Sequence, residues 1–118
     1  RMVFNVLARN QDDHVKNISF LMDRVGRWSL APAYDVTYAY NPDGMWTGTH
    51  QMSVNGKRDA ITRQDLLASA KTMGIRKHDA EEAIAAVQAS LAKWSSFAEE
   101  AKIREAVAMR ISKQFVDV

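Results

Sequence analysis

A mainly α-helical domain carrying small β-hairpins is the fold class this sequence predicts. Three observations predict it. In the second half, Ile84, Val87, Leu91 and Trp94 recur at alternating three- and four-residue spacing, which places them on one face of a helix. In the first half, two short apolar runs, Ile18 to Met22 and Trp28 to Leu30, flank "DRVGR". Between the halves lies Asn55-Gly56, the strongest short hairpin signal.

Taken in order, Met2, Val3, Phe4, Val6 and Leu7 read as the last turns of a helix. Asn10 to Asn17 is too polar and irregular to continue it as core. Asp23 and Gly26 are turn residues between β-prone flanks, so the two apolar runs form a hairpin. Ala31-Pro32 ends its second strand, because Pro32 has no N–H and biases Ala31 to extended geometry. Tyr34 to Thr49 is aromatic and rich in turn signals, "YNPDG" among them. "QMSVNGKRDAI" predicts a second hairpin with a solvated tip. Thr62 caps the helix of "TRQDLLASAKTMG", with Asp65 completing a variant capping box and Gly74 stopping it. His78 to Ala101 is expected as one helix, with Glu81 and Glu82 favouring its start through the macrodipole. Ile103, Val107 and Ile111 form a last helix with Phe115 below them. Residues 1–118 read as one domain, with loop and hairpins over 1–61 and helices over 62–118.

Composition bounds the function. The chain has 118 residues, 47% hydrophobic and 25% charged, which is globular and long enough for a core. It has no cysteine, which excludes disulfides, thiolate metal sites and cysteine nucleophiles. A net charge of +2 permits a phosphate-bearing ligand without demanding nucleic acid. No apolar run reaches the roughly 18 residues of a membrane span, and no leader pattern is seen, so a cytoplasmic protein without membrane contact is expected. The start at Arg1-Met2, inside an apolar pattern, suggests a piece of a longer chain. No serine sits in a nucleophile elbow, and the three histidines are too dispersed for zinc. His50 and His78 read as surface residues. Trp28, Trp46 and Trp94 read as core or loop packing.

One constellation carries chemistry. Asp12 and Asn17 are five residues apart, and Asp35 follows Asn17 by 18, after one hairpin. A hairpin returns the chain to its starting point, so two carboxylates and an amide oxygen should gather at one end of the ribbon. Mg²⁺ suits such a set, being hard, oxygen-seeking and held by one or two carboxylates plus substrate phosphates. Protein kinases use the same order: an Asp that takes the hydroxyl proton, an Asn five residues on, and a later metal-binding Asp beyond a short hairpin. Here the pattern reads "DDHVKN" and "PAYD". Each of these residues also has a plainer reading as a turn or cap, and His14 is more often a structural hydrogen bonder than a catalyst.

"RNQDDHVKNISFL" followed by "WSLAPAYDVTYAY" closely resembles the C-terminal kinase region of HipA-like proteins, the serine/threonine kinase toxins of bacterial toxin–antitoxin pairs. "HQMSVNGKRDAITRQDLL" continues the resemblance, which spans essentially the whole chain; the loop and "PAYD" are its specific parts. The resemblance implies part of the C-terminal lobe of a protein-kinase-like fold. It implies Asp12 as catalytic base, with His14 ordering the loop and Lys16 beside phosphate or the incoming hydroxyl. It implies Asn17 and Asp35 as the residues that hold Mg²⁺ and the phosphates of ATP. Asp13 falls where a small residue can stand and takes no catalytic role. The implied partners are a protein substrate and a DNA-binding, HipB-like antitoxin, with DNA reached only through that antitoxin.

No Gly-rich phosphate motif occurs among the 5 glycines, so this piece alone is expected to be inactive while its parent is a kinase. Two other readings stay open: a non-catalytic helical module that binds an antitoxin or DNA complex, and a small-molecule phosphotransferase.

Overall fold

The structure is a computed structural model that describes residues 1–118. Its elements, in chain order, are α1 (Met2–Leu7), β1 (Phe20–Met22), β2 (Trp28–Leu30), α2 (Arg63–Thr72), α3 (Lys77–Leu91), α4 (Trp94–Glu100) and α5 (Glu105–Ser112). Five helices and one two-stranded antiparallel sheet make the chain mainly helical. No helix is long and apolar enough to cross a membrane.

The core is small and joins distant segments. Val6 and Leu7 of α1, Val54 and Ile61 of the central loop, Leu66 of α2 and Ile84 of α3 form one buried cluster. Burying side chains of this kind contributes about 1.5–3 kcal/mol each. The C-terminal segment returns to α1: Val116 donates its backbone N–H to the Leu7 carbonyl at 2.9 Å, and Arg9 Nε donates to the Gln114 carbonyl at 2.9 Å. The loop after α1 is thereby fastened to the far end of the chain.

Strands β1 and β2 pair Phe20 with Leu30, Leu21 with Ser29 and Met22 with Trp28. Asp23 closes the turn, its Oδ1 accepting from the Val25 and Arg27 backbone N–H groups at 2.9 Å each. Gly26 supplies the positive φ (83°) that this turn requires.

The second hairpin forms only as a tight turn. Asn55 and Gly56 both have positive φ, 51° and 79°, and Val54 and Lys57 exchange two backbone hydrogen bonds at 2.8 and 3.0 Å, but no strand follows. Its tip is also not simply solvated. Asn55 Nδ2 and Lys57 Nζ each reach an Asp65 oxygen at 2.9 Å. Asp65 completes the capping box as well: Thr62 N–H donates to Oδ2 at 2.9 Å, and Asp65 N–H donates to Thr62 Oγ1 at 3.4 Å. One side chain thus starts α2 and pins the turn to it.

The expected single helix from His78 to Ala101 is two helices, broken at Ala92-Lys93. Ile84, Val87 and Leu91 do face the core. Trp94 does not extend their stripe. Its Nε1 donates to the Ala108 carbonyl of α5 at 2.9 Å, and its ring meets Phe115 edge-on at 5.6 Å. Satisfying a half-buried indole against α5 turns the chain at this point. Trp28 and Trp46, expected to pack, are each 68% exposed.

The Asp65 carboxyl is held well below its ordinary value of 3.8, first by the bond from Lys57, then by those from Asn55 and Thr62. Because the folded value is depressed, its stabilising contribution is complete above that ordinary value and is lost as pH falls through the folded one. Urea denaturation of Asp65→Asn should therefore show lower stability than the parent sequence at neutral pH and a shallower decline below pH 4. Equal declines in both proteins would contradict this role of Asp65.

Candidate active site

Residues Asn10 to His14 have no regular structure and lead into a 3-10 turn at Val15–Asn17. The turn is closed by Asn17 N–H donating to the His14 carbonyl at 3.0 Å. Strand β1 departs directly afterwards. Strand β2 brings the chain back, and Ala31 N–H donates to the Ser19 carbonyl at 2.9 Å, so the ribbon stays closed at its base. Asp35 then arrives beside the loop.

The geometry brings Asn17 and Asp35 into direct contact: Asn17 Nδ2 donates to Asp35 Oδ2 at 2.8 Å across 18 residues. The same amide donates to the Asp12 backbone carbonyl at 3.0 Å. Asn17 is therefore the joint between the loop and the end of the hairpin. Both donor directions of the amide are used, and neither its Oδ1 nor Asp35 Oδ1 takes a hydrogen bond. Tyr34 adds a second tie, its hydroxyl donating to the Lys16 carbonyl at 2.6 Å. The Asp12 carboxylate is 44% exposed and lies 3.7 Å from His14 Nε2. Asn17 and Asp35 thus meet at one end of the ribbon, and the Asp12 backbone is tied to them through Asn17 while its carboxylate pairs with His14. Lys16 is exposed there, and its ammonium reaches none of these side chains; only its backbone is tied in. A cavity of about 280 Å³ opens beneath, lined among others by Asn10, His14, Asn17, Tyr34 and Asp35.

Asn17 Oδ1 and Asp35 Oδ1, one amide and one carboxylate oxygen, are of the donor type that a hard cation takes. No group of three or more His, Asp or Glu side chains in the chain is placed to hold a metal ion.

The loop also holds residues that the linear pattern does not reveal, two of which, Asn10 and Asp13, line the same cavity. Asn10, Gln11 and Asp13 are all buried, where a stretch too polar and irregular for core was expected. The Asp13 carboxylate is completely enclosed. Its Oδ1 accepts from the backbone N–H groups of Gln51 at 2.7 Å and Met52 at 3.3 Å. Its Oδ2 lies 2.7 Å from Nδ1 of His50, whose side chain is only 3% exposed. His50 is thus not the surface residue expected. The two are separated by 37 residues with no spacing signal.

The HipA-like C-terminal domain family model matches residues 1–115. No curated protein and no solved structure matches the chain.

Asp35 adopts φ +50°, a left-handed conformation that Asp and Asn tolerate and β-branched residues do not. Chemical denaturation should accordingly find Asp35→Asn close to the parent sequence in stability and Asp35→Val lower by about 1–2 kcal/mol. Equal losses in the two variants would show that backbone conformation is not what selects the residue here.

Proposed function

The chain belongs to the HipA-like C-terminal domain family, and we propose that it supplies the catalytic base and the metal-facing residues of an ATP- and Mg²⁺-dependent serine/threonine protein kinase, the toxin of a toxin–antitoxin pair. The observation that carries this reading is the Asn17–Asp35 contact at 2.8 Å. It joins the two positions where a kinase of this pattern needs metal ligands, and the same Asn17 amide holds the Asp12 backbone carbonyl at 3.0 Å.

In this reading Asn17 Oδ1 and Asp35 Oδ1 hold Mg²⁺, which when bound neutralises charge on the ATP phosphates. Asp12 accepts the proton of the substrate hydroxyl as its oxygen forms a bond to the γ-phosphorus and the bond from that phosphorus to the ADP oxygen breaks. His14, at 3.7 Å, steadies the Asp12 carboxylate. Lys16 faces incoming phosphate or the hydroxyl-bearing segment from its exposed position. The acceptor is a protein hydroxyl in the cytoplasm. A DNA-binding antitoxin restrains the kinase and makes the base contacts.

This piece forms one wall of a cleft. Phosphoryl transfer depends on positioning and electrostatics from every side. The exposed apolar residues of the ribbon, Phe20, Leu21, Met22, Trp28 and Leu30, support a second wall supplied elsewhere in the parent protein.

The test is phosphate transfer from labelled ATP with Mg²⁺ by the parent protein, beside Asp12→Asn, Asp35→Asn and the isolated 118-residue chain. The parent should label a protein acceptor, both variants should lose about 10²–10⁴-fold while remaining folded, and the isolated chain should transfer almost nothing. A parent that labels nothing, or variants that match it, would leave "DDHVKN" and "PAYD" as scaffolding and favour a non-catalytic binding module.

A further inference from the structure

The loop that carries Asp12 is not held by its own backbone. Asn10 N–H bonds to the Asn5 carbonyl at 2.9 Å, and the next backbone N–H with a backbone partner is that of Asn17. From Gln11 to Lys16 none donates to a carbonyl. What fixes this stretch is side chains, and the most enclosed of them is Asp13, immediately beside the proposed base.

We infer that Asp13 and His50 form a positioning pair that fixes Asp12 toward the substrate hydroxyl; the inference rests on the kinase reading of the loop. The Asp13 carboxylate ends on three donors in one short segment: His50 Nδ1, Gln51 N–H and Met52 N–H. That segment is itself rigid. His50 N–H donates to the Arg58 carbonyl at 2.9 Å, Met52 packs on the core and Val54 is fully buried within it. A carboxylate enclosed this way cannot turn to water, because leaving any donor or the charge unpartnered costs several kcal/mol. Its backbone is therefore pinned. One residue earlier the Asp12 side chain is 44% exposed, whereas that of Asp13 is fully enclosed. Asn17 Nδ2 holds the Asp12 carbonyl from the front at 3.0 Å. Asp12 is gripped between a buried anchor behind and the proposed metal-facing amide ahead. Asp13 touches no reacting atom in this scheme; it acts through Asp12.

Steady-state kinetics of the parent kinase test this with Asp13→Ala, His50→Ala, His50→Asn and, as reference, Asp12→Asn. Both alanine variants, normalised to the folded fraction by circular dichroism, should lose about 100-fold in kcat, the scale of a misplacement of about 1 Å, with KM for ATP within about threefold. His50→Asn should recover most of the loss, since its amide nitrogen can donate where Nδ1 does. Hydrogen exchange should quicken at residues 11–17 in the alanine variants and not in His50→Asn. If Asp13→Ala fails to fold, the two His50 variants carry the test. Folded alanine variants with unchanged kcat would overturn the inference. So would a loss that disappears on normalising to folded protein, or a His50→Asn no better than His50→Ala. If Asp12→Asn keeps full activity, the kinase reading itself falls and the inference falls with it. If Asp12→Asn is inactive and the pair is indifferent, only the inference falls.

Discussion

A carboxylate closed off from water must be fully bonded by the protein around it, and the Asp13 carboxylate is the one on which this half of the structure depends. Isolated in a low-dielectric interior its charge would be prohibitive. Here it receives two backbone N–H groups and a histidine nitrogen, all from residues 50–52. That requirement decides where the irregular stretch from Tyr34 to Thr49 must end. It also decides which way the Asn10–Asn17 loop faces. The polar residues of that loop divide accordingly: Asn10, Gln11 and Asp13 are buried, Asp12 and His14 are half-buried, and Lys16 is exposed. A second buried-side carboxylate, Asp65, organises the next joint in the same manner, collecting Asn55, Lys57 and Thr62 at the start of α2. Two acidic side chains, each satisfied by a different short segment, replace the regular secondary structure that residues 31–62 lack.

Local chemistry is what the sequence made readable. The ribbon of β1 and β2 follows from turn residues between apolar runs, and the meeting of Asn17 with Asp35 follows from the ribbon, because a hairpin returns the chain to its base. The capping box at Thr62 and Asp65 and the stop at Gly74 are likewise properties of a few adjacent residues. What could not be read depends on partners far away in sequence. The Asp13–His50 pair spans 37 residues and has no periodicity. The break after Leu91 exists because Trp94 finds its acceptor at Ala108, across a turn and another helix. The turn at Asn55-Gly56 was legible, but its failure to extend into strands was not. Its flanks meet at Val54 with Lys57 and at His50 with Arg58 without forming a continuous ladder, and the side chains of Asn55 and Lys57 bond to Asp65.

The distribution of apolar surface argues for how the site is used. A compact monomer of this mass exposes about 6,500 Å², whereas this chain exposes 8413 Å². The excess is not spread evenly. Both strands of the ribbon are exposed along their length, and Phe20, Leu21, Met22, Val25, Trp28 and Leu30 are each more than half accessible. Meanwhile polar groups that would be comfortable in water, Asn10, Gln11 and Asp13, lie inside. This inversion has a physical consequence at the point where the two regions meet. Asn17 and Asp35 sit at the base of the apolar ribbon and on the outer side of the polar anchor. A charged ligand at that point would have a rigid, hydrogen-bonded floor behind it and a water-repelling wall beside it. Once that wall is covered, solvent is excluded and each electrostatic contact to the ligand strengthens. In the proposed kinase reading, the strength of the site would therefore depend on whether the exposed apolar ribbon is covered.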